Sequence, residues 1–399
     1  MKKLKDFAIY VSDKIDCKDI EVYISTDNML PNKGGINKTE YLPKDGSVNL
    51  FKRGDILLSN IRPYFKKVWL ADRDGGCSSD VLVIRPVGVS SEFLYAVLAQ
   101  DSFFIYNMAG AKGSKMPRGD KKHIMDYHIN NLKNKNHIGF LLKRLEYKIE
   151  NNNKINSELE SMAKTIYDYW FLQFEFPNEE GKPYKSSGGK MVWNEELRRE
   201  IPEEWEVKII GDIVIENPKS KIQVSDTKDQ SGSIPFFTSG DAILKVKVPL
   251  VDGMNCFLNT GGNADVKCYE GKASYSTDTW CITAQGNLAY YFSLLIQSLK
   301  PELDKKFFQG TGLKHLQKPL LKNRLICVPT QEVVDNFARI VQKFFLTITH
   351  HEQENQKLAY LRDFLLPLLM NRQVGFKENI SAKDIEVAVE EVAALVNRK

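Results

Sequence analysis

The chain repeats its own plan at a separation of 199 residues, within a total length of 399 residues. The stretch GSKMPRGDKKHI begins at Gly113, and the related stretch GLKHLQKPLLKN begins at Gly312. A run of heptad-spaced apolar residues around Asn156 returns around Asn355. Self-similarity at one period constrains the architecture more strongly than local propensity does. The sequence therefore predicts two copies of one globular module, each followed by a long helix.

Each copy contains the same kinds of element in the same order. Short β-branched and aromatic runs between turn residues predict strands, and an apolar stretch after them predicts a helix. The predicted fold class is α+β, with two pseudo-two-fold-related modules joined by two long antiparallel helices in a coiled coil. The predicted boundaries are 1–130 for the first module, 131–173 for the central long helix, 174–205 for a linker, 206–329 for the second module, 330–373 for the C-terminal long helix, and 374–399 for a tail with a short amphipathic helix.

The two long segments carry apolar residues at heptad spacing, and Asn131 and Thr330 precede them as good N-cap residues. Spacing sustained over that length predicts coiled-coil pairing. Pro367 is expected to kink or end the second helix, because proline lacks the amide hydrogen that a helix interior uses. The heptad positions are Leu142, Leu145, Ile149, Leu159, Ala163, Ile166 and Trp170 in the first helix, and Val341, Phe344, Ile348, Leu358, Leu365 and Leu369 in the second.

Four polar residues interrupt these apolar seams, and they predict how the helices pair. Suppose that the helices run antiparallel and that the numbers of facing residues sum to 507. Asn152 then faces Asn355, and Asn156 faces His351. The four polar side chains share one layer in this register, whereas opposite leucines they would lack hydrogen-bond partners.

Two further segments lie outside the modules and the long helices. Residues 174–205 are rich in Pro, Gly, Ser and charge, which predicts a linker with one short helical turn. In the tail, Ser381 is a candidate N-cap before a short apolar stripe that includes Ile385 and Val389. That stripe suits docking either on this protein or on a partner, and the sequence does not distinguish the two.

Composition and missing motifs exclude several classes of protein. No apolar run approaches the roughly 18 residues that cross a bilayer, and the first residues lack the apolar core of a signal peptide, so we expect a cytoplasmic protein without membrane contact. The six cysteines form no CxxC pair, which predicts reduced thiols. No dinucleotide loop, P-loop, nucleophile elbow or HExxH motif occurs. We therefore expect no catalytic residue and no metal site in this chain.

Positive charge is concentrated at equivalent places in the two copies. Residues 101–140 contain seven Lys/Arg against three acids, and residues 301–324 contain six against two. Such runs are usually solvated surfaces, but their recurrence in both copies favours a polyanion such as DNA. The candidate DNA-binding residues lie in two closing segments, 112–124 and 312–324, and are Lys112, Lys115, Arg118, Lys121 and Lys122 in the first, and Lys314, His315, Lys318, Lys322 and Arg324 in the second.

A turn in the first module combines an amide, a guanidinium and an aromatic ring, at Asn60, Arg62 and Tyr64. Arginine suits guanine edges and asparagine suits adenine edges in the major groove of DNA. Asn263 and Lys267 stand in the corresponding glycine-rich turn of the second module. The alternative interpretation of each of these residues is an ordinary surface charge or turn residue.

Three parts of the chain resemble one protein family. The run KINSELESMAKTIYDYWFLQFEFPNEEGKPYKSSGGKMVWNEELRREIPEEW, residues 154–205, closely resembles the central region of type I restriction–modification specificity subunits. The run ENQKLAYLRDFLLPLLMNRQVGF, residues 354–376, is similar to their C-terminal region, and GSKMPRGD and GLKHLQK resemble the segments that close their two target recognition domains.

The resemblance implies that each module is a target recognition domain that reads one half of a bipartite, asymmetric sequence in double-stranded DNA. The antiparallel helices would set the spacer length and recruit two methyltransferase (M) subunits and restriction (R) subunits. The chain itself would need no cofactor, because S-adenosylmethionine, ATP and Mg would bind to those partners. Two alternatives stay open from the residues alone: a DNA methyltransferase or nuclease with an unrecognised active site, and a structural coiled-coil adaptor.

Overall fold

The computed structural model describes residues 2–37, 41–130, 132, 134–227, 232–240, 242–312, 314–377 and 379–396. The chain divides into two compact units. The N-terminal unit combines residues 1–150 with residues 354–399, and the central unit consists of residues 151–353. Both divisions fall inside the long helices, so each helix contributes residues to both units.

The described strands are short and occur in both units. Those of the N-terminal unit are β1 (Lys2–Lys3), β2 (Ala8–Val11), β3 (Lys14–Asp16), β4 (Tyr23–Ile24), β5 (Ser47–Phe51), β6 (Ile56–Ser59), β7 (Val68–Leu70), β8 (Gly75–Cys77), β9 (Val81–Pro86) and β10 (His128–Ile129). Those of the central unit are β11 (Met191–Asn194), β12 (Arg199–Pro202), β13 (Glu206–Ile209), β14 (Ile215–Glu216), β15 (Ile234–Phe237), β16 (Ile243–Val246), β17 (Met254–Asn259), β18 (Val266–Glu270), β19 (Ser274–Tyr275), β20 (Thr279–Thr283), β21 (Phe308–Gln309), β22 (His315–Leu316) and β23 (Leu325–Val328).

The described helices range from single turns to two very long segments. They are α1 (Ser91–Leu98), α2 (Asp101–Ala109), α3 (Lys121–Met125), α4 (Lys135–Tyr167), α5 (Ile210–Ile213), α6 (Leu288–Ser298), α7 (Lys300–Glu302), α8 (Lys318–Lys322), α9 (Gln331–Met370) and α10 (Ala382–Val396). No helix in the described parts of the chain is long and apolar enough to span a bilayer.

The N-terminal unit is built on a four-stranded sheet in the order β2-β9-β6-β7. Alternate residues of a strand point to opposite faces. Ile56 and Leu58 of β6 accordingly pack on the α1 side, whereas Leu57 packs with the second sheet, β3-β5-β8-β4. Both faces are covered, which explains why the run ILL is apolar at every position.

The central unit repeats this arrangement. Its main sheet has the order β14-β20-β17-β18, the counterpart of β2-β9-β6-β7. In β17, Cys256 and Leu258 join the core that contains α6, whereas Phe257 packs with Phe237 and Tyr275 of the smaller sheet β16-β15-β19. The predicted duplication of an α+β module is therefore confirmed.

The segment 174–205, predicted as a linker with one short helical turn, is folded. Its strands β11 and β12 pair antiparallel, with Met191 opposite Pro202 and Asn194 opposite Arg199. Phe174, Phe176 and Trp205 are buried in the core of the central unit. The Pro and Gly residues supply turns, but burial of the three aromatic side chains outweighs that local signal.

The long helices differ from the sequence expectations at their ends. The helix α4 spans 33 residues and continues into a π-helical turn at Asp168–Leu172, and α9 spans 40 residues. Pro367 lies inside α9, which ends three residues later at Met370 and not at the proline. Thr330 directly precedes α9 as predicted, whereas the other predicted N-cap, Asn131, lies outside the described residues.

Contacts within each unit support the antiparallel register. In the central unit, Nδ1 of His351 donates a hydrogen bond to Oδ1 of Asn156 over 2.7 Å. In the N-terminal unit, Ile149 packs against the cluster that contains Leu358. The numbers of His351 and Asn156 sum to 507, and the place of Ile149 beside this cluster agrees with the same register. The second predicted polar pair, Asn152 with Asn355, stays a prediction.

The tail helix α10 docks on this protein. Val389 and Ala393 are buried in one cluster with Leu145 of α4 and Leu358 of α9, all within the N-terminal unit. Arg144 forms a salt bridge of 2.9 Å with Glu386 at the edge of this contact. The sequence left open whether the apolar stripe of α10 docks on this protein or on a partner. The structure shows that the stripe packs on α4 and α9 of the same chain.

Candidate nucleic-acid interface

The structure joins the turn after β6 to the first closing segment. Ile61 and Arg118 form an isolated β-bridge, and the amide of Arg62 donates to the carbonyl of Pro117 over 2.8 Å. The amide of Gly119 donates to the carbonyl of Asn60 over 3.2 Å. Two predicted groups of residues that are far apart in the sequence therefore meet at one place.

The backbone of this turn is tightly defined. Arg62 and Lys66 both adopt the left-handed conformation, with φ of 49° and 52°. Between them, Pro63 is buried and begins a single 3₁₀ turn that ends at Phe65. Tyr64 is 47% exposed, so its ring is accessible to a ligand. The turn presents Arg62 and Tyr64 to solvent on a rigid frame.

Acidic side chains hold part of the first closing segment. Lys112 pairs with Asp120 over 2.8 Å, and Arg118 pairs with Asp80 over 3.1 Å. The bond from Lys112, together with the amides of His123 and Lys122, lowers the pKa of Asp120 to about 2. Asp120 also caps α3 through these amides, which fixes the end of the segment.

The other cations of this segment are more available. Lys115 and Lys122 are exposed, and neither forms a salt bridge within the described residues. Lys121 lies over the ring of Tyr10, with Nζ 6.0 Å from the ring centroid. The free charge of the first closing segment is therefore concentrated on Lys115, Lys121 and Lys122.

The central unit brings the same two elements together. Gly261 and His315 form an isolated β-bridge, and the amide of Gly262 donates to the carbonyl of Lys314 over 2.9 Å. Comparison of the bridges shows that His315 occupies the place of Arg118. The closing segments thus correspond at a separation of 197, and not at the 199 that the sequence alignment predicted. Loops of unequal length between matched strands account for the slip of two residues.

The predicted residues of the second closing segment are mostly engaged within the protein. Lys318 lies 4.7 Å from the ring of Trp280, and burial lowers its pKa. Lys322 pairs with Glu216, and Arg324 pairs with Glu302. These three residues were predicted as DNA contacts, but acids balance the charges of Lys322 and Arg324, and Lys318 packs over an aromatic ring.

Three other predicted residues of the central unit are more accessible. His315 and Asn263 are exposed at the joined turn and segment. Lys314 is exposed and pairs with Asp304 over 3.4 Å. Lys267 is different, because its ammonium pairs with Asp265 over 3.0 Å and donates to the carbonyl of Gly240 over 2.8 Å. Lys267 therefore braces the smaller sheet and is a poor candidate for a DNA contact.

Sequence reasoning missed the buried amides behind the turn of the N-terminal unit. Asn107 is fully buried, and within the described residues both of its side-chain polar atoms lack a partner. Oδ1 of Asn60 is also buried without a partner in the described residues, so this oxygen is not accessible to an adenine edge as predicted. A Cβ atom on Gly119 would lie 2.5 Å from Oδ1 of Asn107 and 3.0 Å from Oδ1 of Asn60. The glycine therefore permits the close approach of the closing segment.

The side chains that commonly bind metal ions, and the cysteines, can also be compared with the sequence expectations. Within the described residues, no group of three His, Cys, Asp or Glu side chains is placed to bind one. All six cysteines are free thiols. The polar heptad residues Asn152 and Asn156 are buried between the long helices, where a hydrogen bond, and not a ligand, is the expected role.

Comparisons of the sequence with known proteins show what this chain is similar to. Residues 202–360 match the family model of the type I restriction modification DNA specificity domain. The type I restriction enzyme MjaIX specificity subunit of Methanocaldococcus jannaschii is 27% identical over 380 residues, covering 87% of this chain and 84% of that protein. The type I restriction enzyme HindI specificity subunit of Haemophilus influenzae is 22% identical, covering 88% and 94%.

A solved structure shares the fold. The S subunit of a type I restriction–modification system from M. genitalium superposes with a TM-score of 0.55 at 14% identity, covering 94% of this chain and 96% of that one. These findings support the specificity-subunit interpretation and not the alternative of a methyltransferase or nuclease with an unrecognised site. Residues 202–360 thus match a type I restriction modification DNA specificity domain, and the chain as a whole is similar to type I restriction enzyme specificity subunits.

Proposed function

We propose that each unit binds one half of a bipartite, asymmetric site in double-stranded DNA through its joined turn and closing segment. The observation that carries this proposal is the repeated pair of bridges, Ile61 with Arg118 and Gly261 with His315. Each bridge places exposed cations beside a strand-end turn. Cations position a protein on phosphates, and side chains of a rigid turn can reach base edges.

The long helices have a different role in this proposal. Their antiparallel pairing fixes the spacer between the two half-sites, and their surfaces recruit two methyltransferase subunits and the restriction subunits. The chain contributes no catalysis. S-adenosylmethionine, ATP and Mg bind to the partner subunits, which perform methyl transfer and cleavage.

A selection from a randomised library of duplex DNA, using the purified full-length chain, tests the proposal. We expect enrichment of two short sequence elements at a constant separation, with an affinity that falls steeply as salt increases. Absence of salt-dependent duplex binding would support the structural adaptor instead. Methyl transfer from S-adenosylmethionine by the chain alone would restore the enzyme alternative and overturn this proposal.

A further inference from the structure

Arg62 adopts a backbone conformation that side chains rarely occupy. Its φ of 49° and ψ of 63° lie in the left-handed region. There the Cβ atom of an L-residue crowds its own backbone, so glycine is the residue that fits without strain. Arginine gains nothing in stability at such a position.

The central unit has the strain-free residue at the same place. Gly262 occupies the position of Arg62, because its amide donates to the carbonyl of Lys314 as that of Arg62 donates to Pro117. Its φ is 83°, so the positive φ belongs to the shared backbone of the turn and not to one residue type. Strained residues of this kind cluster at functional sites, where the side chain has a use.

Contacts on both sides hold the strained residue in place. The amide of Phe65 donates to the carbonyl of Arg62 over 3.0 Å, and the amide of Lys66 donates to the carbonyl of Pro63 over 2.9 Å. With the bond to Pro117, these contacts leave the backbone of Arg62 little freedom. A side chain on such a frame loses less conformational entropy when it binds a ligand.

The guanidinium of Arg62 is exposed, and it has no salt bridge or hydrogen bond within the described residues. Two neighbours show the contrast. Lys66, the other left-handed residue of the turn, pairs with Asp101 over 3.0 Å, and Arg118 pairs with Asp80 over 3.1 Å. Lys66 and Arg118 each have an acidic partner within the protein, whereas the charge of Arg62 has none among the described residues.

We propose, on the basis of the proposed function, that Arg62 determines specificity for a guanine in the half-site bound by the N-terminal unit. A guanidinium can donate two parallel hydrogen bonds to O6 and N7 of guanine in the major groove. The neighbouring free cations, Lys115 and Lys122, would contact phosphates and set the register. The central unit, with Gly262 at the corresponding position, makes no such contact there.

Three variants of the full-length chain test this proposal in the randomised-duplex selection: Arg62→Gly, Arg62→Lys and the control Lys66→Gly. We expect Arg62→Gly to unfold at the same temperature as the wild type or higher, because the strain is relieved. It should lose the preference for one guanine, by about 5- to 150-fold, and keep the sequence preference of the other half-site. Arg62→Lys should lose part of the same preference while keeping its salt dependence, because an ammonium lacks the planar fork that orients the two hydrogen bonds. Lys66→Gly should select the wild-type sequence.

The outcomes separate this proposal from the broader one. If the wild type selects a bipartite site and Arg62→Gly selects the same bases equally well, Arg62 is not a specificity determinant, and the proposed function stands. If Arg62→Lys keeps the guanine preference and Arg62→Gly changes only the salt dependence, Arg62 contacts phosphate and the proposal is overturned. If the wild type selects no sequence at all, the proposed function fails first.

Discussion

Nδ1 of His351 lies 2.7 Å from Oδ1 of Asn156, in the seam where α4 and α9 pair within the central unit. A polar contact at this position excludes neighbouring registers, because a shift of one heptad would place each group opposite an apolar residue. This hydrogen bond therefore favours the register in which the numbers of facing residues sum to 507.

The first prediction concerns this contact. Asn156→Leu removes the acceptor of His351 in a buried seam and should lower the free energy of unfolding by about 1–3 kcal/mol. The double variant Asn156→Leu/His351→Leu should recover part of that loss, because both polar groups are gone. Chemical denaturation of the four proteins gives the coupling energy, and additive effects would contradict the pairing.

The second prediction concerns contacts between lysines of the closing segments and the phosphates of DNA. Lys115→Ala should weaken DNA binding and reduce the slope of log K against log salt by about one. Lys314→Ala should have a smaller effect, because Lys314 already pairs with Asp304 over 3.4 Å. Lys190→Ala serves as the control. Lys190 is an exposed lysine outside the closing segments, in residues 174–205, and it pairs with Glu203. Unchanged slopes for both test variants would mean that the closing segments do not contact phosphate.

The third prediction concerns pH. Burial, followed by the charge of Glu160, raises the pKa of Glu352 to about 7 from an ordinary 4.5. A carboxyl whose pKa is raised by folding contributes stability that is complete below pH 4.5 and is lost as pH rises through 7. Glu352→Gln should therefore raise the unfolding free energy at pH 8 by about 1–3 kcal/mol and flatten its dependence on pH. The exposed Glu158→Gln on α4 is the control, and equal pH profiles would refute the assignment.

The fourth prediction concerns the close approach at Gly119. Gly119→Ala places a methyl group against two buried amides, and we expect a loss of about 1–3 kcal/mol in stability together with weaker DNA binding. Gly375→Ala, outside both closing segments, is the control, because no heavy atom lies within 4 Å of its ideal Cβ position. Thermal unfolding and DNA titration of both variants measure the difference. Wild-type behaviour of Gly119→Ala would show that the turn can move away from the segment.

The fifth prediction concerns the docked tail. Val389→Glu puts a carboxylate into the cluster with Leu145 and Leu358 and should release α10, which limited proteolysis will detect as faster cleavage within the tail. Val387→Glu on the same helix should leave cleavage unchanged, since Val387 is 46% exposed. Equal cleavage of the two variants would argue against cis docking.

The periodic features of this protein were predictable from its sequence. The helix register follows from Asn156 and His351, since a heptad pattern with polar interruptions has few pairings that satisfy every buried group. The folding of residues 174–205 was not predictable in the same way. Their Pro and Gly content indicates turns, but the docking of Phe176 and Trp205 depends on a core formed by other parts of the chain.

The candidate interface was predictable as a region and not as a set of residues. The sequence located the charge of both closing segments, and the structure joins each segment to a turn through Ile61 with Arg118 and Gly261 with His315. The sequence could not indicate that Oδ1 of Asn60 is buried or that Lys322 pairs with Glu216, 106 positions away.

The sequence by itself indicated the duplication, the α+β class, the antiparallel register and the resemblance to type I specificity subunits, because each is encoded in periodicity or in contiguous motifs. Only the tertiary structure decided which cations are free to meet DNA. Arg118 forms a salt bridge with Asp80. The guanidinium of Arg62, on a turn with positive φ, forms none within the described residues. Charge pairing and burial arise from contacts between residues that are distant along the chain, so local sequence does not specify them.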